Sequence, residues 1–177
     1  MRPCRGTSVF AGSGHCETSS VSELRIRLAA RALVLDDDDR VLLVRFGSAE
    51  RAFWATPGGG IEDGETGEQA VRRELLEETG LDDFELGPHI WTRTGPLDHG
   101  GWDGEYEQIY LVRTASFEPA PRLTWDQLRS EGMTGIRWWT LEELGSSEAE
   151  FAPRRLPLLL RQLVLHGPPG EPVDVGF

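Results

Sequence analysis

A chain of 177 residues with 38% hydrophobic content has room for one domain with a real core, and not for two. Its 18 basic and 30 acidic residues leave a net charge of -12, which excludes the basic footprint needed for non-specific binding to nucleic acid or to an anionic membrane. The same charge repels a phosphate-bearing ligand, so a small-molecule substrate of that kind would have to be bridged to the protein by divalent cations.

Residues 1–22 are rich in Ser, Gly and Thr and lack apolar periodicity, which predicts a disordered extension ahead of a domain at 23–166. Cys4 and Cys16, with His15 nearby, fit neither a disulfide framework nor a metal-ligand spacing and read as free thiols. No apolar secretory segment follows the N-terminal arginines, so a cytoplasmic protein is expected. Leu24 to Leu35, LRIRLAARALVL, alternates and then becomes continuously apolar, as a strand entering a core does. Asp36 to Asp39 form its turn, without the ligand spacing of a calcium loop, and Arg40 to Phe46 is the returning strand. Arg45 interrupts that apolar run, and either snorkels to water or contacts a substrate phosphate.

The most informative stretch is Pro57 to Leu81, PGGGIEDGETGEQAVRRELLEETGL. Thr66 followed three residues later by Gln69 is a capping-box signature, and Gly80 stands where a left-handed residue ends a helix, so a helix is predicted over Gly67 to Thr79. On it Glu74, Glu77 and Glu78 fall at i, i+3 and i+4 and share one face, while Val71 and Leu75 form an apolar pair on another. A solvated acidic surface is the ordinary explanation of such a face. Three acids held together beside the Gly58-Gly59-Gly60 turn, with Arg73 to offset their repulsion, also suit a hard oxygen-seeking cation, Mg2+ first and Mn2+ second.

Phe84 to Thr94 reads as a strand interrupted at Gly87-Pro88. The turn-rich loop from Gly95 to Gly104 follows, and offers His99 as a candidate base and Trp102 as a candidate stacking or lid residue. Glu105 to Thr114 alternates as a strand, with Tyr106, Gln108 and Tyr110 on one face and Glu105, Glu107, Ile109 and Leu111 on the other. Gly135 to Thr140 is a further strand, and Leu141 to Leu144 opens a short helix. Leu156 to Leu165 reads as a core helix too short for a bilayer, ending at Gly167-Pro168, and residues 167–177 read as a flexible tail.

Counted from Gly59, the central stretch has glycine, five residues, Glu65, seven residues, Arg73-Glu74-Leu75, one residue, Glu77-Glu78, one residue, and Gly80-Leu81. This resembles the complete Nudix box; seven fixed letters would coincide at a given start about once in 10^8 by chance. The resemblance implies the Nudix α/β/α sandwich with a mixed curved sheet, and hydrolysis of a nucleoside diphosphate linked to another moiety. It makes Glu74 and Glu78 metal ligands together with the Gly59 carbonyl, Glu77 a ligand or the general base, and Arg73 the group that orients Glu77 or Glu65. It leaves the base open among Glu77, Glu105 and Glu107, the last two as acids outside the box, and it implies that Trp54 packs the core. Pro96, fifteen residues past Leu81, resembles a marker of ADP-ribose hydrolases, while the extended markers of NADH and coenzyme A hydrolases are absent. Nucleoside triphosphates therefore stay open as substrates, as does a homodimer. A nucleotide sensor built on the same domain is the alternative, although it usually needs an attached output module; an isoprenoid diphosphate isomerase departs from the box that is intact here.

Overall fold

The computed structural model describes residues 24–48, 51–97 and 100–176. Cys4, His15, Cys16 and His99 lie outside those residues. The elements run β1 (Ile26–Leu35), β2 (Val41–Gly47), β3 (Ala52–Ala55), β4 (Gly58–Gly60), α1 (Gly67–Thr79), β5 (Glu85–Gly95), β6 (Gly104–Arg113), α2 (Trp125–Ser130), β7 (Met133–Trp139), α3 (Leu141–Ser146), β8 (Glu150–Ala152), α4 (Leu156–His166) and β9 (Val173–Asp174). The strands form one sheet in the order β8-β3-β2-β1-β6-β5-β9, with β4 and β7 added on β1 and β2. It is mixed: β1 with β6, β3 with β8 and β5 with β9 run parallel, while the other pairs are antiparallel.

Strand alternation divides the core in two. Ala30, Ala32 and Val34 of β1 and Leu42 of β2 pack with Ala70, Val71 and Leu75 of α1. The intervening Leu33, Leu35, Val41 and Leu43 pack on the other side against Leu156, Leu159, Leu160 and Leu163 of α4. The sheet lies between two helical layers, as the resemblance implies. Trp54 joins the α4 side, edge-on to Trp139 with ring centroids 5.1 Å apart, so it packs the core as expected. No helix among the described residues is long and apolar enough to cross a membrane.

Two parts of the structure differ from the sequence reading. A short helix, α2, caps a third cluster of Val44, Leu128 and Met133, and its own capping box, Thr124 with Gln127, was present in the sequence as a signal. Within the segment read as a flexible tail, residues 173–175 instead dock. Val173 and Asp174 pair with Trp91 and Thr92, the Val175 amide donates to the Thr92 carbonyl at 2.9 Å, and the Val175 side chain is buried in the α4-side core. Two strand residues and one buried valine are too short a pattern to stand out in a Gly/Pro-rich stretch.

The feature that creates a site is a change of partner along β1. Ala29, Ala30 and Arg31 pair with Gly60, Gly59 and Gly58, whereas Val34 and Leu35 pair with Leu42 and Val41. The sheet therefore divides around β1, and a cleft of about 1280 Å³ opens between the glycine strand and the β2–β3 side.

Candidate active site

α1 begins at Thr66, whose side chain accepts from the Gln69 amide while the Gln69 side chain accepts from the Thr66 amide, and it ends at Gly80 with φ of 79°. Both predicted ends hold. The helix buries Ala70, Val71 and Leu75 against β1, which fixes its rotation and points Glu74, Glu77 and Glu78 at the glycine strand lining the cleft.

Backbone approach explains the glycines. At Gly58, φ is 132°, and a Cβ would fall 2.4 Å from the Ala30 carbonyl; at Gly59 a Cβ would fall 2.6 Å from Glu74 Oε1. The strand and the carboxylates can meet only where side chains are missing.

Arg73 is the hub of the acid cluster. It donates from Nε and Nη2 to Glu65 at 3.0 Å each, from Nη1 to Glu74 at 2.7 Å and to Glu77 at 3.3 Å, and from Nη2 to the Gly60 carbonyl at 2.9 Å. The resemblance offered Glu77 or Glu65 as its partner; Arg73 holds both. The hydrogen bond from Arg73 holds the Glu65 carboxyl below the usual carboxylate range, and the same contact to Glu65 raises Arg73 above its ordinary value.

Glu78 lies deeper. Its Oε2 accepts from the Gly58 amide at 2.8 Å, and it is 4% exposed. Burial, then the neighbouring charge of Glu74, pushes its carboxyl up to about 8. Burial also raises Glu74, against the pull of Arg73. Glu131, at the end of α2, lines the cleft and adds to the upward push on Glu78, a contribution that the sequence reading missed. Among the described residues no three His, Cys, Asp or Glu side chains already converge on a point that would hold an ion, because Arg73 holds Glu65, Glu74 and Glu77. The donor chemistry nevertheless fits a hard cation: Glu74, Glu77 and Glu78 are among the carboxylates lining one cleft, and burial raises Glu74 and Glu78 despite the arginines beside them.

The acids outside the box behave differently. Glu107 is 1% exposed; Arg31 donates to it from Nε at 2.6 Å and Arg93 from Nη2 at 2.7 Å. Burial alone would raise its carboxyl, but Arg31 and Arg93 hold it down at about 2. Arg31 in turn donates to the Gly58 carbonyl at 2.7 Å and the Thr56 carbonyl at 3.3 Å. Burial opposes the charge of Arg31, yet Glu107 and Glu105 keep its pKa above the ordinary value. Glu107 is thus an anchor for the arginine that holds the glycine strand, with no place in the cleft lining, while Glu105 lines the cleft paired to Arg27 at 2.7 Å.

Of the other predicted contacts, Pro96 lines the cleft, whereas Arg45 and Trp102 are absent from its wall. Arg45 alternates with Val44 and Phe46, pairs in register with Trp54, and donates to Thr134 Oγ1 at 3.1 Å. Trp102 is exposed beneath the Arg25 guanidinium, which lies 5.0 Å from its ring centroid. The wall instead contains Arg27, Arg31, Arg93 and the β3–β8 ribbon. Arg27 and Arg31, four residues apart and so on one face of β1, were the available signal for the first two; the ribbon depends on a pairing between distant segments.

A sandwich whose split sheet holds a glycine strand against an acid-faced, arginine-clamped helix defines a Nudix-type site. A family model for the NUDIX domain matches residues 25–162, and the chain belongs to the Nudix hydrolase family. It is 33% identical over 129 residues to nucleoside triphosphatase NudI of Enterobacter sp., covering 68% of this chain and 87% of that one. It is 43% identical over 70 residues to an RNA pyrophosphohydrolase of Sulfurovum sp.; that match covers 36% of this chain and only 45% of the relative. Among solved structures, the E. coli dihydroneopterin triphosphate pyrophosphohydrolase superposes with a TM-score of 0.60 at 17% identity, over 80% of this chain and 97% of that one, a likeness of fold.

Proposed function

We propose that the protein is a Mg2+-dependent pyrophosphohydrolase acting on a nucleotide, either a nucleoside triphosphate or a nucleoside diphosphate linked to another moiety. The observation that carries this reading is the contrast within one cleft between an under-neutralised acid set and a glycine strand that leaves room for phosphate. The names of the relatives, a nucleoside triphosphatase and an RNA pyrophosphohydrolase, support the same reaction class.

The cation would be held by Glu74 and Glu78 with the Gly59 carbonyl; Mn2+ would fit the same oxygen donors. When bound it supplies neutralisation of the anhydride oxygens and a lowered pKa for an attacking water. Arg73 fixes the orientation of Glu74 and Glu77. Glu77 suits the role of proton acceptor, since its side chain is 32% exposed against 13% for Glu74, and its bond to Arg73 is the longest of that hub. Glu107, saturated by two arginines and held at about 2, does not suit it. Arg27, Arg31 and Arg93 also line the cleft and, although paired with Glu105 and Glu107, bring positive charge to it that would favour phosphate.

The test is a screen of purified protein with and without Mg2+ against a nucleotide panel, with products resolved by chromatography. Anhydride cleavage that requires the cation and is lost in Glu78→Gln is expected. Tight nucleotide binding with no turnover on any panel member would support the sensor reading instead.

A further inference from the structure

The cleft continues past the acid set onto a wall that the proposed chemistry does not use. β3 and β8 run parallel with Phe53 beside Glu150 and Ala55 beside Ala152, and Phe46 of β2 pairs with Phe53 on the other side. All five of these residues line the cleft. The Phe46 and Phe53 rings are stacked at 5.8 Å, and Phe53 is 39% exposed although it sits on an interior strand of the sheet. The alternate residues Trp54 and Phe151 turn into the α4-side core, so this ribbon is anchored from behind and its small residues leave a shallow floor in front. A Cβ at Gly132 would sit 3.9 Å from Phe46 Cδ1, so the floor reaches Gly132 and its neighbour Glu131, whose charge acts on Glu78. Platform and acid set are therefore adjoining parts of one cleft.

An exposed aromatic beside a floor of two alanines accepts a flat ring. The edge of the platform carries Glu150, whose carboxylate has no hydrogen-bond or ion-pair partner among the described residues, and which lines the cleft beside Phe53. A carboxylate accepts only, so it rewards a ring edge that donates.

Resting on the reading of the protein as a nucleotide hydrolase, we propose that Phe46, Phe53, Ala55 and Ala152 form the nucleobase subsite, and that Glu150 selects bases bearing an exocyclic amino group. Cytosine is then preferred to uracil, and guanine to hypoxanthine, since within each pair the amino-bearing base offers the extra donor.

The experiment uses those pairs twice: calorimetric binding of CMP, UMP, GMP and IMP, and steady-state hydrolysis of CTP, UTP, GTP and ITP. Wild type is expected to favour the amino-bearing member of each pair about tenfold in Kd and in kcat/KM, the size of one charge-assisted hydrogen bond. Glu150→Ala levels each pair. Phe53→Ala weakens all four ligands about tenfold or more through KM while kcat and the pairwise ratios persist, and Phe53→Tyr restores affinity, which separates stacking from loss of fold. Equal affinity within both pairs in wild type overturns selection by Glu150, and unchanged affinity in Phe53→Ala overturns the platform. Hydrolysis without pairwise preference, together with unchanged affinity in Phe53→Ala, leaves the proposed function standing and removes the subsite. Pairwise-selective binding with no hydrolysis of any nucleotide removes the function and keeps the subsite.

Discussion

Two buried glutamates, Glu78 and Glu107, stand on either side of the glycine strand and have opposite electrostatic fates. Glu107 meets two guanidiniums and is held at about 2; Glu78 meets the charge of Glu74, one backbone amide and the more distant charge of Arg31, with Glu131 adding a further push, and burial drives it to about 8. Burial opposes ionisation of both, so the partners decide. A carboxylate already neutralised from within serves the fold, as Glu107 does by anchoring Arg31 under the Gly58 carbonyl. A carboxylate left without neutralisation, in a cleft that reaches solvent, is ready for a cation from outside.

The largest effect that sharpens this contrast is on turnover. Glu78→Gln keeps the shape and removes the charge, and should cut kcat by about three orders of magnitude or more, or about 4 kcal/mol of transition-state stabilisation. Its metal-free fold should be as stable as wild type or slightly more so, measured by thermal melting in chelator.

Glu107→Gln should do the reverse. It leaves Arg31 and Arg93 facing each other with their shared carboxylate gone, and a broken buried ion pair costs about 3–5 kcal/mol. Denaturant unfolding would show this loss with or without Mg2+. A Glu107→Gln protein as stable as wild type would mean that Glu107 does not anchor this fold.

The two glutamates also predict adjoining pH windows. In the metal-free fold Glu78 keeps its proton up to about 8, while in the unfolded chain it loses it near the ordinary 4.5; the folded state binds more protons between those values, so stability falls as pH rises from about 5 to 8. Glu107 contributes stability that is present above 4.5 and is lost as pH falls toward about 2. Melting curves in chelator should therefore decline from pH 5 to 8 in wild type and flatten over that range in Glu78→Gln, while both proteins lose stability below 4.

The smallest effects are expected where the sequence reading placed contacts that the structure puts outside the cleft. Arg45→Ala and Trp102→Ala should each change KM less than about twofold, with Trp102→Ala losing at most about 1 kcal/mol of stability from its contact with Arg25. A tenfold rise in KM for Trp102→Ala would show that the loop closes over the ligand.

These two residues mark where sequence ceases to suffice. α1 was legible to the residue because its caps, apolar pair and acid face are all local, within a span of about fifteen residues. The site acids came with it. Arg45 stays open between water and ligand in the sequence because its side is set by pairing with Trp54 and Gly135, and a strand of ambiguous alternation does not declare which face meets ligand. Glu107 is legible as an acid outside the box on a face shared with Ile109 and Leu111, but its partners Arg31 and Arg93 come from two different strands, one of them 76 residues away. The Phe53–Glu150 neighbourhood needs a parallel pairing between segments nearly a hundred residues apart, one of them three residues long, and no local signal encodes it.

One titration distinguishes the proposed cation site on the face of α1 from solvated surface. Calorimetric titration of Mg2+ into metal-free protein, with Glu78→Gln and Glu107→Gln alongside, tests it directly. Saturable binding is expected in wild type, weakened at least tenfold in Glu78→Gln and kept in whatever fraction of Glu107→Gln is folded. Equal Mg2+ binding by wild type and Glu78→Gln, or no saturable binding by wild type in the millimolar range, would mean that the acidic face of α1 is solvated surface.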